Sequence, residues 1–218
     1  MSKKNLVLLS IIALVGAFAA ATYFYRDYQA KKLEFIANKD FKTFVRDHSP
    51  RYGNPDAKVY LIEFLDPECE ACRLMAPYVK DIVDRHEGKV QLVVRYAPFH
   101  GNSRFAAQIL EASRKQEKYW DTLELLFKYQ PEWGSHHNPQ PEKIWGYLEE
   151  LDLDIDYIKN TMNSPGIAAL IDQDVADLKK LEVRRTPTFF VNGRPLEKFG
   201  PNHLAKLVAE VLAEVEQK

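Results

Sequence analysis

The residues with the clearest chemical potential are two cysteines, which stand two positions apart as Cys69-Glu70-Ala71-Cys72. Thiols at this spacing form and break a disulfide with each other, or supply half of a zinc site. A zinc site needs two further ligands at matching spacing, and the sequence has no second cysteine pair. A purely structural disulfide that closes so short a loop would contribute little stability. The pair therefore favours redox chemistry.

The position of the pair along the chain supports this interpretation. The apolar, β-rich run from Val59 to Leu65 predicts a buried strand, and helical spacing follows from Cys69 to His86. A helix that starts at Cys69 offers free N–H groups and the positive end of its dipole to the thiol, which lowers the thiol pKa. We expect Cys69 to be the attacking thiol and Cys72 to resolve the mixed disulfide. The apolar face of this helix is predicted at four positions: Leu74, Tyr78, Ile82 and Val83.

The elements around this strand and helix predict an α/β fold. A second buried strand, from Val90 to Ala97, completes a βαβ unit and therefore a parallel strand pair. Helical spacing without a convincing strand then continues from Ser103 to Leu181, which predicts an inserted helical domain at about residues 103–182. A strand follows at Thr188 to Val191, and Asn192-Gly193 is typical of a hairpin turn. An amphipathic helix from Leu204 to Val215 closes the chain.

The N-terminal residues are typical of an exported protein. The run from Leu6 to Tyr25 carries no charge, follows Lys3 and Lys4, and is long enough to span a bilayer. We expect residues 1–25 to form a membrane anchor, with a cleaved signal peptide as the alternative. The charged residues 26–47 are predicted to form a juxtamembrane helix or linker that holds the domain away from the membrane. In a bacterium, either arrangement places the domain in the periplasm.

Composition and charge exclude several classes of protein. The 218 residues carry a formal net charge of −1, which argues against a dedicated nucleic-acid binder. The hydrophobic fraction of 46% and the charged fraction of 28% argue against a disordered chain. The adjacent His136 and His137 lack a third ligand at suitable spacing, so we expect no metal. We also expect no cofactor beyond the redox-active disulfide of Cys69 and Cys72.

Two motifs are similar to those of a known family. The run from Glu63 to Cys72, together with the run from Thr186 to Gly193, resembles the DsbA-type branch of the thioredoxin superfamily. The resemblance covers about residues 48–218 and implies a thioredoxin-like fold with a helical insertion. It also implies that Pro187 is cis beside the disulfide. Thr186, Glu70 and Ala71 would then contact a substrate.

The resemblance places Glu63 where this superfamily keeps a buried acid under the active site. A carboxylate in an apolar strand is costly, so its pKa should be raised. We expect Glu63 to relay a proton to or from Cys72; the alternative is that it pairs with Lys58 and only tunes stability. His100, just past the second strand, is expected to hydrogen-bond the start of the insertion, and a place facing the active site is the alternative.

The sequence departs from the strongly oxidising members of that branch, which carry Pro-His between the cysteines. Here Glu70 and Ala71 occupy those positions, and the charges of Glu68 and Glu70 oppose a thiolate at Cys69. We therefore expect a thiol:disulfide oxidoreductase that is less oxidising than those members, acts on protein thiols and has a membrane redox partner. A disulfide isomerase or reductase kept reduced by that partner, and a non-catalytic chaperone or adaptor, are the alternatives. We expect a monomer.

Overall fold

The apolar runs predicted as buried strands form the centre of a five-stranded sheet in the computed structural model, which describes residues 3–135 and 137–217. The strands lie in the order β1-β3-β2-β4-β5, with β2 and β3 parallel and the other neighbours antiparallel. Nearly every residue of β2 and β3 is buried because helices and loops cover both faces of the sheet. The strand bounds are Arg51–Gly53 (β1), Val59–Leu65 (β2), Val90–Tyr96 (β3), Thr188–Val191 (β4) and Arg194–Pro195 (β5).

Eight α-helices accompany the strands in the described residues, and five of them lie between β3 and β4. These five form the predicted helical insertion. Two short 3₁₀ helices, Phe41–Thr43 and Pro141–Lys143, lie in the connections. The α-helix bounds are Lys3–Lys39 (α1), Glu70–Arg85 (α2), Ser103–Arg114 (α3), Tyr119–Trp133 (α4), Ile144–Leu148 (α5), Ile155–Thr161 (α6), Pro165–Lys180 (α7) and Pro201–Glu216 (α8).

The core has two parts, one on each face of the sheet. Alternate residues of β2 point to opposite faces, so Leu61 and Leu65 pack against α2, α8 and the insertion. Ile62 and Phe64 belong to the second core cluster, which we define by the buried residues Ile36, Phe44, Val45, Ile62, Phe64, Val93, Ala97, Leu178, Leu181, Val183 and Phe190. The end of α1 and the segment that follows it therefore close one face of the sheet.

The hairpin between β4 and β5 holds α1 in place. Asn192 and Gly193 both have positive φ values, 48° and 86°, as a two-residue hairpin turn requires. A Cβ on Gly193 would lie 2.5 Å from the Cβ of Ala37, so α1 approaches this turn more closely than any side chain allows. Polar contacts extend the attachment: Arg26 pairs with Glu197 at 2.7 Å.

The segment predicted as a separate juxtamembrane helix differs in the structure. Helix α1 continues without a break from its apolar residues to Lys39. Residues 40–47 follow as a loop that contains one 3₁₀ turn. Ile36, Phe44 and Val45 are buried in the second core cluster, so this segment is part of the domain and not a spacer. Among residues 3–135 and 137–217, α1 is the one helix long and apolar enough to cross a membrane.

The predicted apolar face of α2 is wrong at two positions. Leu74 and Tyr78 are 60% and 50% exposed, although Ile82 and Val83 are buried as expected. The face that meets the sheet instead consists of Cys72, Met75, Val79, Ile82 and Val83. Positions 75, 79, 82 and 83 are three or four residues apart, whereas Leu74 and Tyr78 lie about 100° around the helix from Met75 and Val79.

Candidate active site

The two cysteines occupy the start of α2. Cys69 is the N-cap residue, in an extended conformation, and Cys72 lies in the first turn. Both are free thiols in this structure. Cys69 keeps a small exposed fraction of 7%, whereas Cys72 has none. Only Cys69 is therefore open to attack from outside.

The environment makes the two thiols unequal. A hydrogen bond from the Cys72 thiol lowers the pKa of Cys69 to about 5; burial opposes this shift, while Thr186 and the N–H groups of Cys72 and Ala71 support it. Burial raises the pKa of Cys72 well above its ordinary range, and the charges of Glu63 and Cys69 add to this effect. Near neutral pH, Cys69 is a thiolate and Cys72 a thiol, which is the asymmetry that disulfide exchange requires.

The loop before β4 meets the cysteines although it is more than a hundred residues away along the chain. The Thr186-Pro187 peptide bond is cis. Cys69 Sγ lies 3.4 Å from the Thr186 carbonyl oxygen, to which the thiol donates a hydrogen bond when it is protonated. Pro187 is buried and Thr186 is half-buried. Glu70 is exposed and Ala71 half-buried in the first turn of α2, so a surface around Cys69 remains open between these elements.

Glu63 lies in β2, opposite Val94 of β3 and Phe189 of β4. Its side chain is buried, and its Oε1 atom has no hydrogen-bond partner within residues 3–135 and 137–217. Burial, with a smaller contribution from the Cys69 charge, raises the pKa of this carboxyl to about 8. Lys58 is exposed, and no ion pair joins it to Glu63 in the part of the chain that the structure describes. The predicted alternative of a stabilising Glu63–Lys58 pair is therefore wrong.

A cavity of about 230 Å³ lies between the sheet, α2 and α4, and Glu63 forms part of its lining. The Lys80–Glu124 ion pair, 2.6 Å between Nζ and Oε1, and Arg73 also line it. The rest of the lining is mostly apolar and includes Leu65, Val79, Leu92, Val94, Leu123 and Phe127. A buried acid next to such a space has room for the water that carries a proton to or from it.

A polar network beside the cysteines was not predicted. Asp66 is fully buried, and its Oδ2 accepts hydrogen bonds from the Phe99 N–H at 2.9 Å and from the N–H and Nδ1–H of His100 at 3.2 and 2.7 Å. Its Oδ1 accepts from the Glu68 N–H at 2.9 Å and from the Ser103 hydroxyl. Asp66 and His100 follow the carboxyl ends of β2 and β3. Since these strands are parallel neighbours, their ends meet, and that signal was available in the sequence.

Glu68 takes part in the same network through the start of α3. Its carboxylate accepts hydrogen bonds from the backbone N–H and the side-chain amide of Asn102, at 2.6 and 2.9 Å. Donors at this helix N-terminus therefore neutralise part of the charge that was expected to oppose the Cys69 thiolate. This contact helps to explain a low Cys69 pKa next to an acidic residue.

Gln130, in α4 of the insertion, holds the active-site loop. Its side-chain amide donates to the carbonyl oxygens of Pro67 and Cys69 at 2.8 and 3.1 Å, and its Oε1 accepts from Arg73 Nε at 3.0 Å. The helical insertion thus fixes the residues that lead into the CxxC motif. Among the described residues, no cluster of three His, Cys, Asp or Glu side chains is placed to hold a metal, and His136 lies outside them.

Comparison with known proteins assigns the family. A profile of the thioredoxin family, described as Thioredoxin, matches residues 46–210. The chain belongs to the thioredoxin family. The solved structure of a thioredoxin-like oxidoreductase from Silicibacter pomeroyi is 26% identical, with a TM-score of 0.66, and covers 82% of this chain and 96% of that one. The predicted resemblance to the DsbA-type branch of this family is confirmed.

Two curated relatives of this chain differ greatly in length. Disulfide bond formation protein D of Bacillus subtilis is 28% identical over 166 residues, which cover 69% of this chain and 70% of that protein. The Na(+)/H(+) antiporter NhaA of Herminiimonas arsenicoxydans is 31% identical over 144 residues, 66% of this chain. The chain spans only 22% of that antiporter. Of these two relatives, the one of comparable length is named as a disulfide bond formation protein. The predicted thioredoxin-like fold is confirmed by the family profile.

Proposed function

We propose that this protein is an exported thiol:disulfide oxidoreductase that exchanges disulfides with protein substrates through Cys69 and Cys72. The observation that carries the proposal is the geometry of the pair: Cys69 caps the start of α2 and keeps 7% exposure, Cys72 behind it is fully buried, and the cis Thr186-Pro187 bond lies beside Cys69. The lowered pKa of Cys69 and the raised pKa of Cys72 agree with this inequality. Chaperone or adaptor function alone would not require this arrangement. The Cys69 pKa of about 5 lies between the values of the corresponding cysteine in thioredoxin, about 7, and in DsbA, about 3.5. This position favours a moderately oxidising couple.

The exchange runs through a mixed disulfide. When the protein acts as an oxidant, a substrate thiolate attacks Cys69 Sγ of the Cys69–Cys72 disulfide, and the electron pair of the broken S–S bond passes to Cys72 Sγ. Cys72 then takes a proton, and the Glu63 carboxyl, protonated near neutral pH, is the acid placed to supply it. A second substrate thiolate attacks the substrate sulfur of the mixed disulfide and releases the Cys69 thiolate. The substrate leaves with a disulfide, and the protein is reduced.

The substrate chain is expected to bind along the Thr186-Pro187 segment, next to Glu70 and Ala71. A groove of about 470 Å³ extends from this segment to α1. Its position supports the proposal that the substrate chain binds on this side of Pro187. The groove lining includes Tyr25, Leu33, Pro187, Thr188, Leu196 and Phe199. Backbone N–H and C=O groups next to a reactive disulfide suit the recognition of unfolded or flexible segments, since main-chain contacts do not depend on the substrate sequence.

Helix α1 supports the proposed location. Its apolar residues, preceded by Lys3 and Lys4, support export with the N-terminus on the cytoplasmic side. We infer that the protein is attached to the periplasmic side of the inner membrane by this helix, or is periplasmic when the helix is cleaved. After each turnover the protein keeps both electrons on its thiols, so an oxidant must remove them, and we expect a membrane redox partner to do so.

The experiment that tests the proposal uses single cysteine variants of the full chain. Cys72→Ala should accumulate mixed disulfides between Cys69 and substrate proteins, visible on non-reducing gels and lost with reductant, because the resolving thiol is gone. Cys69→Ala should trap nothing and should abolish exchange. Trapping by Cys69→Ala but not by Cys72→Ala would reverse the proposed roles, and no exchange by the wild type would exclude catalysis.

The wild-type full chain, which keeps both cysteines, distinguishes the direction of the reaction. In a glutathione redox buffer, an oxidase of this kind reaches equal oxidised and reduced populations at a potential between about −270 mV for thioredoxin and about −120 mV for DsbA. A value at or below that of thioredoxin would favour the reductase, which a membrane partner keeps reduced.

A further inference from the structure

Asp66 connects the active-site cysteines to His100. The Asp66 N–H donates to Cys72 Sγ at 3.5 Å, and the Asp66 carbonyl oxygen accepts the Cys69 N–H at 3.0 Å. The side chain of the same residue accepts the Nδ1–H of His100 at 2.7 Å. One residue therefore touches both cysteines through its backbone and the histidine through its carboxylate.

The buried carboxylate of Asp66 favours a charged imidazole. A buried negative charge is costly unless a positive charge or several hydrogen bonds compensate it. Of the groups that bind the Asp66 side chain in the described residues, His100 alone can carry a positive charge, since Phe99, Glu68 and Ser103 donate neutral N–H or O–H groups. The His100 side chain is 28% exposed, so it can exchange protons with solvent.

We propose that His100 is a positioning residue whose protonation is coupled to the redox state of the Cys69–Cys72 pair. The inference rests on the proposed disulfide exchange and deepens it. Oxidation of a substrate dithiol to a disulfide yields two electrons and two protons. The electrons reduce the Cys69–Cys72 disulfide, and one proton converts Cys72 to a thiol. Because Cys69 remains a thiolate, the second proton is divided between His100 and the solvent, and the share that His100 takes is set by the difference between its pKa in the two redox states.

The charges around His100 agree with this assignment. Partial burial lowers the pKa of the imidazole, but the hydrogen bond to Asp66 and the charges of Asp66, Cys69 and Glu68 outweigh it, and the pKa is raised. The Cys69 charge exists only in the reduced protein, whereas Asp66 and Glu68 are present in both states. The His100 pKa is therefore expected to be higher in the reduced protein than in the oxidised one.

The test is the pH dependence of the equilibrium with glutathione. The equilibrium constant is defined for the reaction in which oxidised protein and two glutathione thiols give reduced protein and glutathione disulfide. A larger constant therefore means a more stable reduced protein. His100→Asn keeps a donor for Asp66 without a charge and should lower this constant three- to tenfold at pH 6, with little change at pH 9. A tenfold change corresponds to about 30 mV for this two-electron couple. His100→Lys should restore the constant and hold it restored at pH 9.

Two controls separate this role from a structural one. His86 lies at the far end of α2, where its Nδ1 contacts the Ile82 carbonyl oxygen, so His86→Asn should leave the constant unchanged at every pH. Histidine NMR titration of the wild type should show a higher His100 pKa in the reduced state, and this readout does not depend on any variant that fails to fold.

The outcomes distinguish the two levels of the proposal. If the wild type exchanges disulfides but the His100 pKa is equal in both redox states, or His100→Asn keeps the wild-type constant and its pH dependence, the inference about His100 is wrong. If the wild type does not equilibrate with glutathione at all, the proposed function fails.

Discussion

Replacing Glu63 with glutamine should make the protein more stable at neutral pH. The pKa of this buried carboxyl rises from its ordinary value of 4.5 to about 8 in the folded, reduced protein. Because the folded-state pKa is the higher one, the stability that the protonated acid provides is complete below pH 4.5. It falls as pH increases and is lost by the time pH has passed 8. At pH 7 the loss is about 3 kcal/mol, since each pH unit between 4.5 and 7 is worth about 1.4 kcal/mol.

Glu63→Gln removes this titration while keeping the shape of the side chain. As pH rises from 4.5 to 7, the free energy of unfolding of the wild type should therefore fall by about 3 kcal/mol relative to that of the variant. Urea denaturation of both proteins under reducing conditions, repeated across this pH range, measures the difference. In the same variant, disulfide exchange should slow at the step in which Cys72 gains or loses a proton.

The matched control is another buried acid whose pKa moves in the opposite direction. Asp177 accepts hydrogen bonds from Arg46 Nε at 2.7 Å and from Arg95 at 2.6 Å. Burial raises the pKa of this carboxyl, but the bonds to the two guanidinium groups outweigh burial and lower it. Asp177→Asn should lower the free energy of unfolding at pH 7 by about 1 to 3 kcal/mol, because both guanidinium groups lose their charged acceptor. Stability curves of wild type and Glu63→Gln that stay parallel from pH 4.5 to pH 8 would refute the reasoning about Glu63.

Three further results are expected. Alkylation of Cys69 by iodoacetamide should show a midpoint near pH 5, and a midpoint near the ordinary thiol value of about 8.5 would contradict the proposed nucleophile. Glu70→His should shift the equilibrium with glutathione several-fold toward the reduced protein, because it removes a negative charge next to Cys69; a shift toward the oxidised protein would contradict this. Gly193→Ala should lower the free energy of unfolding by about 1 to 3 kcal/mol, as its Cβ meets Ala37. Gly88 has a similar φ of 81°, but its Cβ would meet the flexible Asn54 side chain, so Gly88→Ala should lower the free energy of unfolding by less. Thermal unfolding of both variants and the wild type measures the difference.

The strands and the redox motif could be predicted because their signals are local. The run predicted as the first buried strand has the bounds of β2, since six apolar residues and Glu63 lie between loop residues. Asn192-Gly193 marked its hairpin for the same reason. The phase of α2 was not determined by the sequence: Leu74, Tyr78, Met75 and Val79 are all large enough to be core residues, and the sheet decides which pair is buried.

The supports of the active site were missed because they depend on contacts between distant segments. Gln130 reaches Pro67 and Cys69 from the insertion, and nothing in its own neighbourhood distinguishes it from a surface glutamine. Asp66 has the appearance of a loop aspartate until its position at the end of β2 is combined with that of His100 after β3. Pairing of parallel strands, more than local composition, carries this information.

The continuity of α1 means that the domain has no hinge at its attachment point. From Tyr25, where the apolar residues end, to Leu33, where packing on the sheet begins, there are eight residues of unbroken helix, or about 12 Å. If the apolar part spans a membrane as proposed, the domain cannot rotate freely on a tether. The orientation of the domain then changes with the tilt of α1, and substrates reach the active site only close to the bilayer surface. A version truncated at residue 46 would lack Ile36, Phe44 and Val45 and would expose Ile62 and Phe190, so a soluble preparation has to begin within α1.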